Sequence, residues 1–215
     1  MALADSPDNL RAEGKGMGFL KTRRVWLAVY GLLLVCGICA TALAGPLEDG
    51  HAAYDKQDYK TAFKLWRPLA DQGDAEGQRL MGSLYLDGLG VNKDYTAARG
   101  WFLSAANQGD AKAQYNIGMM YRQGLGVAQN DAEAVKWFRL SAGQGNAEAQ
   151  FKLGTAYKFG YGVTLDPIQA YMWYSFAAAR NAQYVISRNS LARKLTQSQI
   201  DEATRMAIEL KPVKN

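Results

Sequence analysis

A unit of 36 residues that opens at Asp74 recurs at Asp110 and Asn146, and no other property of the chain limits its fold so strongly. Laid in register, Gly82, Gly118 and Gly154 align, as do Tyr85, Tyr121 and Tyr157, and then Trp101, Trp137 and Trp173. The run Gly88-Leu89-Gly90-Val91 returns as Gly124-Leu125-Gly126-Val127 and again as Gly160-Tyr161-Gly162-Val163. Self-similarity at this length marks a solenoid, in which each supersecondary unit buries its apolar face only against its neighbours.

Each unit reads as two helices. In the first, Ala75, Gln78, Met81, Gly82 and Tyr85 fill one arc of a wheel turning about 100° per residue. A glycine inside a helix costs about 1 kcal/mol against alanine, so three in one register point to a neighbouring helix passing too close for a Cβ. The Gly-x-Gly loop reverses the chain, and Asp94, Asn130 and Asp166 stand where the second helix needs an N-cap. Pro167 follows at the favoured first helical position. In that helix Ala98, Trp101, Phe102 and Ala105 keep the i, i+3, i+4, i+7 spacing, matched by Ala134, Trp137, Phe138 and Ser141.

These motifs resemble the Sel-one-like repeat (SLR) family, a branch of the tetratricopeptide-like helical repeats. The matching elements are Ala-x-x-Gln at 75–78, Gly82-x-x-Tyr85, Gly88-x-Gly90-Val91, Ala98-x-x-Trp101 and Ala105-Ala106-x-x-Gly109. The third copy departs in Tyr174 and in Asn181, which replaces the closing glycine. The resemblance spans residues 50 to 210. It implies an all-α fold, an α/α solenoid forming a right-handed superhelix of helix-turn-helix repeats, and a protein-binding scaffold or adaptor rather than an enzyme.

The chain divides accordingly. Residues 1–44 read as a targeting segment. Arg11, Lys15, Lys21, Arg23 and Arg24 precede an apolar run from Val25 to Cys39, and Ala42-Leu43-Ala44 ends it as a small-x-small cleavage site. The competing reading is an uncleaved anchor, since Val25 to Ala44 is just long enough to span a bilayer. Met17 is an alternative start. Cleavage after Ala44 leaves 20 basic and 17 acidic residues, a net charge of +3. Such a leader directs a chain to the periplasm or the exterior. Since both cysteines leave with it, the mature chain is expected to hold no disulfide, although that compartment would permit one. A mild positive excess is not the basic stripe that nucleic acid requires.

Residues 45–73 read as an atypical N-terminal hairpin. Asp58 can cap its second helix, the Gly-x-Gly loop is missing, and Pro68 should bend or loosen that helix. Repeats follow at 74–109, 110–145 and 146–181, and then C-terminal capping helices at 182–215. Gln183 to Lys194 is predicted as one helix. Thr196-Gln197-Ser198-Gln199 is a capping-box pattern that starts the last one, with Ile200, Ala203, Met206, Ala207 and Leu210 along one side.

Catalytic equipment is thin. The single histidine, His51, lies near the expected mature N-terminus, where fraying is predicted. Without it nothing remains to activate Ser83, Ser104, Ser141 or Ser175. Asp71, Asp74, Asp94 and Asp110 fall at helix starts and loops, where capping is the ordinary role. No catalytic residue, metal ligand set or cofactor is therefore predicted. Some members of the resembled family with cysteine-paired repeats are linked to β-lactam or cell-wall hydrolysis, which makes an envelope hydrolase the alternative. This chain lacks those cysteines. Trp66, Trp101, Trp137 and Trp173, with the repeated glycines and tyrosines, are expected to form a buried structural spine rather than a carbohydrate-stacking row.

Residues that differ between copies carry the functional information. Positions 76, 79, 80, 83 and 87 share about 100° of arc, opposite the repeated set. In the resembled fold the first helices line the concave face. Arg79, Ser83, Lys112, Tyr115, Met119, Phe151, Lys152 and Phe159 are therefore predicted to line a groove for another protein or a peptide. Position 79 and its equivalents lie at the border of the arc, where packing between repeats is the competing role.

Overall fold

A computed structural model of the chain describes residues 45–210, and the leader and Pro212 lie outside the described residues. The described chain is helical, with no strand: α1 (Pro46–Asp55), α2 (Tyr59–Asp71), α3 (Ala75–Asp87), α4 (Tyr95–Asn107), α5 (Ala111–Gln123), α6 (Asp131–Gly143), α7 (Ala147–Phe159), α8 (Pro167–Arg180), a 3-10 turn (Ala182–Tyr184), α9 (Val185–Ala192) and α10 (Gln197–Leu210). Helices pair as α1/α2, α3/α4, α5/α6 and α7/α8, and each second helix packs on the first helix of the next pair. From α1 to α8 the main packing is thus between chain neighbours, as a helical solenoid requires.

Helix limits follow from the repeated polar residues. Asp74, Asp110 and Asn146 accept hydrogen bonds from the backbone N–H of Gly77, Ala113 and Ala149 at 2.6–2.7 Å. Asp94, Asn130 and Asp166 cap the second helices in the same way. Each such cap is worth about 1 kcal/mol. Gly88, Gly124 and Gly160 end the first helices in the left-handed conformation, with φ of +74°, +69° and +74°. The next cap is then fixed to the repeated tyrosine, because the N–H of Asp94, Asn130 and Asp166 donates to the carbonyls of Tyr85, Tyr121 and Tyr157.

The loop also grips the preceding repeat. A Cβ on Gly90 would stand 2.6 Å from the carbonyl of Tyr59, at the start of α2, and one on Gly126 would stand 2.8 Å from that of Tyr95, at the start of α4. Gly162 meets Asp131, at the start of α6, in the same manner. No side chain fits there.

The spine lies one residue beyond the position expected. Phe102, Phe138 and Tyr174 are 0%, 0% and 2% exposed, and a Cβ on Gly82, Gly118 or Gly154 would lie 2.6–2.7 Å from those rings. The repeated glycines thus admit an aromatic ring into each hairpin. Trp101 and Trp137 are only partly buried and lie along the stack, each against the core of the preceding pair, and Arg67 covers the Trp101 ring at 5.4 Å. Trp173 alone of the three is buried, in a core cluster that includes Ala203 of α10. Trp66 belongs to the phenylalanine register, since it fills α1/α2 against Gly50 as Phe102 fills α3/α4 against Gly82.

The first hairpin is accordingly a repeat with a shorter loop. Asp58 N–H donates to Ala53 as Asp94 donates to Tyr85, and Gly50 precedes Trp66 by 16 residues where Gly82 precedes Phe102 by 20. Its turn holds Gln57 at φ +61°, the single positive-φ residue other than glycine among those described. The helix α2 continues through Pro68 to Asp71, with Pro68 exposed.

At the other end the expected single helix is a 3-10 turn followed by the short α9. The capping box forms, Thr196 N–H to Gln199 Oε1 at 2.9 Å and Gln199 N–H to Thr196 Oγ1 at 3.3 Å. The last helix, α10, packs back on α8 instead of pairing with α9, so the hairpin geometry stops here.

Candidate partner-binding surface

The eight predicted groove residues differ in what they touch and in how far each reaches solvent. Those at the border position are drawn into packing, and Arg79 bridges two repeats. Arg79 reaches Glu76 at 2.7 Å and Asp110 of the next repeat at 3.4 Å, leaving its side chain 13% exposed. Tyr115 tilts against Phe138 with centroids 5.9 Å apart, and burial raises its phenol pKa, helped by the charges of Glu148 and Tyr184. Phe151 lies in a stack, 5.3 Å from Tyr174 and 4.6 Å from Tyr184. Tyr184, supplied by the 3-10 turn after the repeats end, thus covers the ring predicted as an exposed anchor.

The remaining positions vary in exposure. Ser83 donates its hydroxyl to the Arg79 carbonyl, and Met119 packs half-buried beside the Phe138 core. Lys112 is exposed. Lys152 is half-buried, and that burial lowers its ammonium pKa, with the Arg122 charge adding to the effect. Phe159 is 53% exposed. It ends α7 beside Tyr161, whose ring centroid is 5.6 Å away, and Lys158 stands 4.8 Å over its face.

The repeated tyrosines and glutamines serve packing. Tyr157 accepts a hydrogen bond from Arg139 at 2.8 Å, Tyr121 lies under Arg99, and Tyr85 packs edge-on to Phe63. Gln78, Gln114 and Gln150 are buried and donate to the carbonyls of Ala70, Ala106 and Ala142 in the preceding repeat. Gln108 and Gln144, at the ends of the second helices, donate in turn to Gln78 and Gln114 at 2.8 Å. The sequence shows Ala-x-x-Gln as a motif but not this ladder, because its second rung lies 30 residues away.

His51 is not frayed. It sits inside α1, edge-on to Trp66 at 5.2 Å, with Nε2 3.8 Å from Glu76. Each serine considered as a nucleophile gives its hydroxyl to a backbone carbonyl: Ser83 to Arg79, Ser104 to Gly100, Ser141 to Ala111 and Ser175 to Tyr171. Among the described residues no three of His, Cys, Asp and Glu gather as a metal site.

Known proteins agree with this architecture. The profile of the Sel1 repeat matches at residues 39–74, 75–110, 111–146 and 147–181, so the short first hairpin counts as a fourth copy. The crystal structure of a Sel1 repeat protein from Oxalobacter formigenes is 38% identical, with a TM-score of 0.60 over 63% of this chain and 56% of that one. That of c5321, a protective antigen of uropathogenic Escherichia coli strains with an SLR fold, is 29% identical, with a TM-score of 0.53 over 70% of this chain and 40% of that one. The chain therefore spans about half the length of these relatives. No curated protein matches it. With four copies of the repeat over more than half its length, the chain belongs to the Sel1 repeat family.

Proposed function

We propose that this protein is an exported, non-catalytic scaffold that holds a partner protein or peptide on the face of its first helices. Proteins built from Sel1 repeats are generally helical scaffolds for protein interaction. The observation that carries the reading is the division of labour within each repeat. Side chains that recur are consumed by packing, capping and the glutamine ladder, whereas Lys112, Lys152 and Phe159 vary between copies and reach solvent or its edge. Selection for packing alone gives no reason to place Phe159 where the other copies carry Asp87 and Gln123. Export is supported by the basic, apolar, Ala42-x-Ala44 order of the leader. The serine hydroxyls bound to carbonyls and the His51 ring held against Trp66 support a non-catalytic role.

The test has two arms. Immobilised chain from residue 45 onward should retain a defined partner from the envelope fraction of its native host. A broad hydrolase panel should show no difference between the wild type and His51→Ala. A turnover lost in His51→Ala would replace the scaffold with the envelope hydrolase. N-terminal sequencing of exported material should begin near Gly45, and retention of Leu27 to Val35 would make the leader an anchor.

A further inference from the structure

The third repeat carries an apolar patch that its siblings lack. Phe159, Tyr161 and Leu165 are 53%, 38% and 59% exposed. The residues at these positions are Asp87, Leu89 and Lys93 in the first 36-residue copy, and Gln123, Leu125 and Gln129 in the second. Leu89 and Leu125 pack into their own cores, whereas Tyr161 turns outward beside Phe159. Leu165 closes on the start of the same loop, its Cβ 3.7 Å from where a Cβ on Gly160 would stand. Contiguous exposed apolar groups of this kind mark interaction sites more often than isolated ones.

The patch is also cationic. Arg122 lies 4.6 Å over the Tyr161 ring and Lys158 lies 4.8 Å over Phe159. Half-buried Lys152, two turns before Phe159 on α7, feels the charge of Arg122. None of the three cations joins an ion pair among the described residues. Glu148, one turn before Lys152, has its charge beside the hydroxyls of Tyr115 and Tyr184 instead. Like charges held together at a partly dry surface are unfavourable until an anion joins them.

The geometry points to an acidic peptide segment as the occupant. We propose that its carboxylates meet Arg122, Lys152 and Lys158 while an apolar side chain between them rests on Phe159, Tyr161 and Leu165. A bilayer fits less well. The cations stack on the faces of the rings, so sinking Phe159 and Tyr161 into hydrocarbon would carry Lys158 and Arg122 with them, at a high cost in charge burial. A short chain presents carboxylate and apolar group together at the surface, and aromatic anchors with flanking charges supply affinity and orientation respectively. This inference rests on the scaffold reading and names the chemistry of its partner.

Fluorescence anisotropy of the whole chain decides it, with a labelled peptide of glutamates around one tryptophan and its lysine counterpart as probes. The glutamate peptide should bind about tenfold or more tightly than the lysine one, and its affinity should fall as salt rises. Phe159→Gln with Leu165→Gln, which installs the residues of the second copy, should weaken binding about tenfold or more with the helical spectrum unchanged. Should that variant lose its helical spectrum, Lys152→Asn, again the residue of the second copy, decides by the same readout. Equal binding of the two peptides, or an unchanged Kd in the folded variant, overturns the proposal. So does co-sedimentation with phosphatidylglycerol vesicles when neither peptide binds. Partner capture retained by the patch variant would overturn this site and leave the scaffold standing, whereas absence of capture by the wild type would sink the scaffold itself.

Discussion

The second and third repeats share a backbone and differ in their skins. Inside, Phe138 against Gly118 is repeated as Tyr174 against Gly154, with the same clearance and near-zero exposure. Outside, Gln123 and Gln129 become Phe159 and Leu165. At the junction the two also diverge, because Gln144 completes the hydrogen bonding of Gln114 while the buried Gln150 keeps an unpartnered Oε1. Repetition therefore constrains whatever faces a neighbouring helix and leaves the outer surface free to specialise. Position 180 carries arginine where Gln108 and Gln144 stand in the earlier copies, and no amide completes the inward Gln150.

The largest expected effect sharpens the inner half of that comparison. Phe138→Ala and Tyr174→Ala should each lose about 3–5 kcal/mol in thermal or urea unfolding, the cost of truncating a buried aromatic. Trp137→Ala, at a half-buried site, should cost no more than about half as much. A larger loss at Trp137 than at Phe138 would break the assignment of the spine. Next come Gly118→Ala and Gly154→Ala, whose new methyl groups would press on the rings at 2.6 Å and 2.7 Å. Both should cost about 1–3 kcal/mol, and a neutral result in either would show that the aromatic ring can move aside.

Smaller effects probe the junction and the skin. Gln114→Leu breaks two hydrogen bonds and strands Gln144, whereas Gln150→Leu breaks one and removes an unpartnered oxygen. The first should be more destabilising by about 1 kcal/mol, and equal losses would mean that the ladder adds nothing to stability. Least of all, Gln123→Phe with Gln129→Leu, which copies the third skin onto the second repeat, should change stability by no more than about 0.5 kcal/mol. A large shift in the melting point would show that the outer surface is not free after all.

Much of this was legible in the period. Helix number, caps and loops follow from residues whose chemistry leaves little choice, such as Asp94 at an N-cap or Gly88 at a left-handed C-terminus. The spine was misread because Trp101 and Phe102 are adjacent and both apolar, and a wheel of about 100° per residue cannot decide which one enters the hairpin. The shortened first loop hid that Trp66 keeps the register of Phe102. Phe151 read as a surface anchor because its cover, Tyr184, lies beyond the last repeat, where periodicity carries no information. The patch at Phe159 was visible only in part. Tyr161 replaces a leucine, and nothing in the residue type shows that the ring turns outward.

One consequence follows from the backward grip of the Gly-x-Gly loops. Gly90, Gly126 and Gly162 each seat on a helix that comes earlier in the chain. During synthesis from the N-terminus, every loop therefore emerges to find its seat already built. Assembly by this clasp is vectorial, like a zip closed from one end. Loss of the last hairpin would leave the earlier loops seated, whereas loss of an early one would unseat the loop behind it. Nicks of equal size at the two ends of the stack should thus have unequal reach.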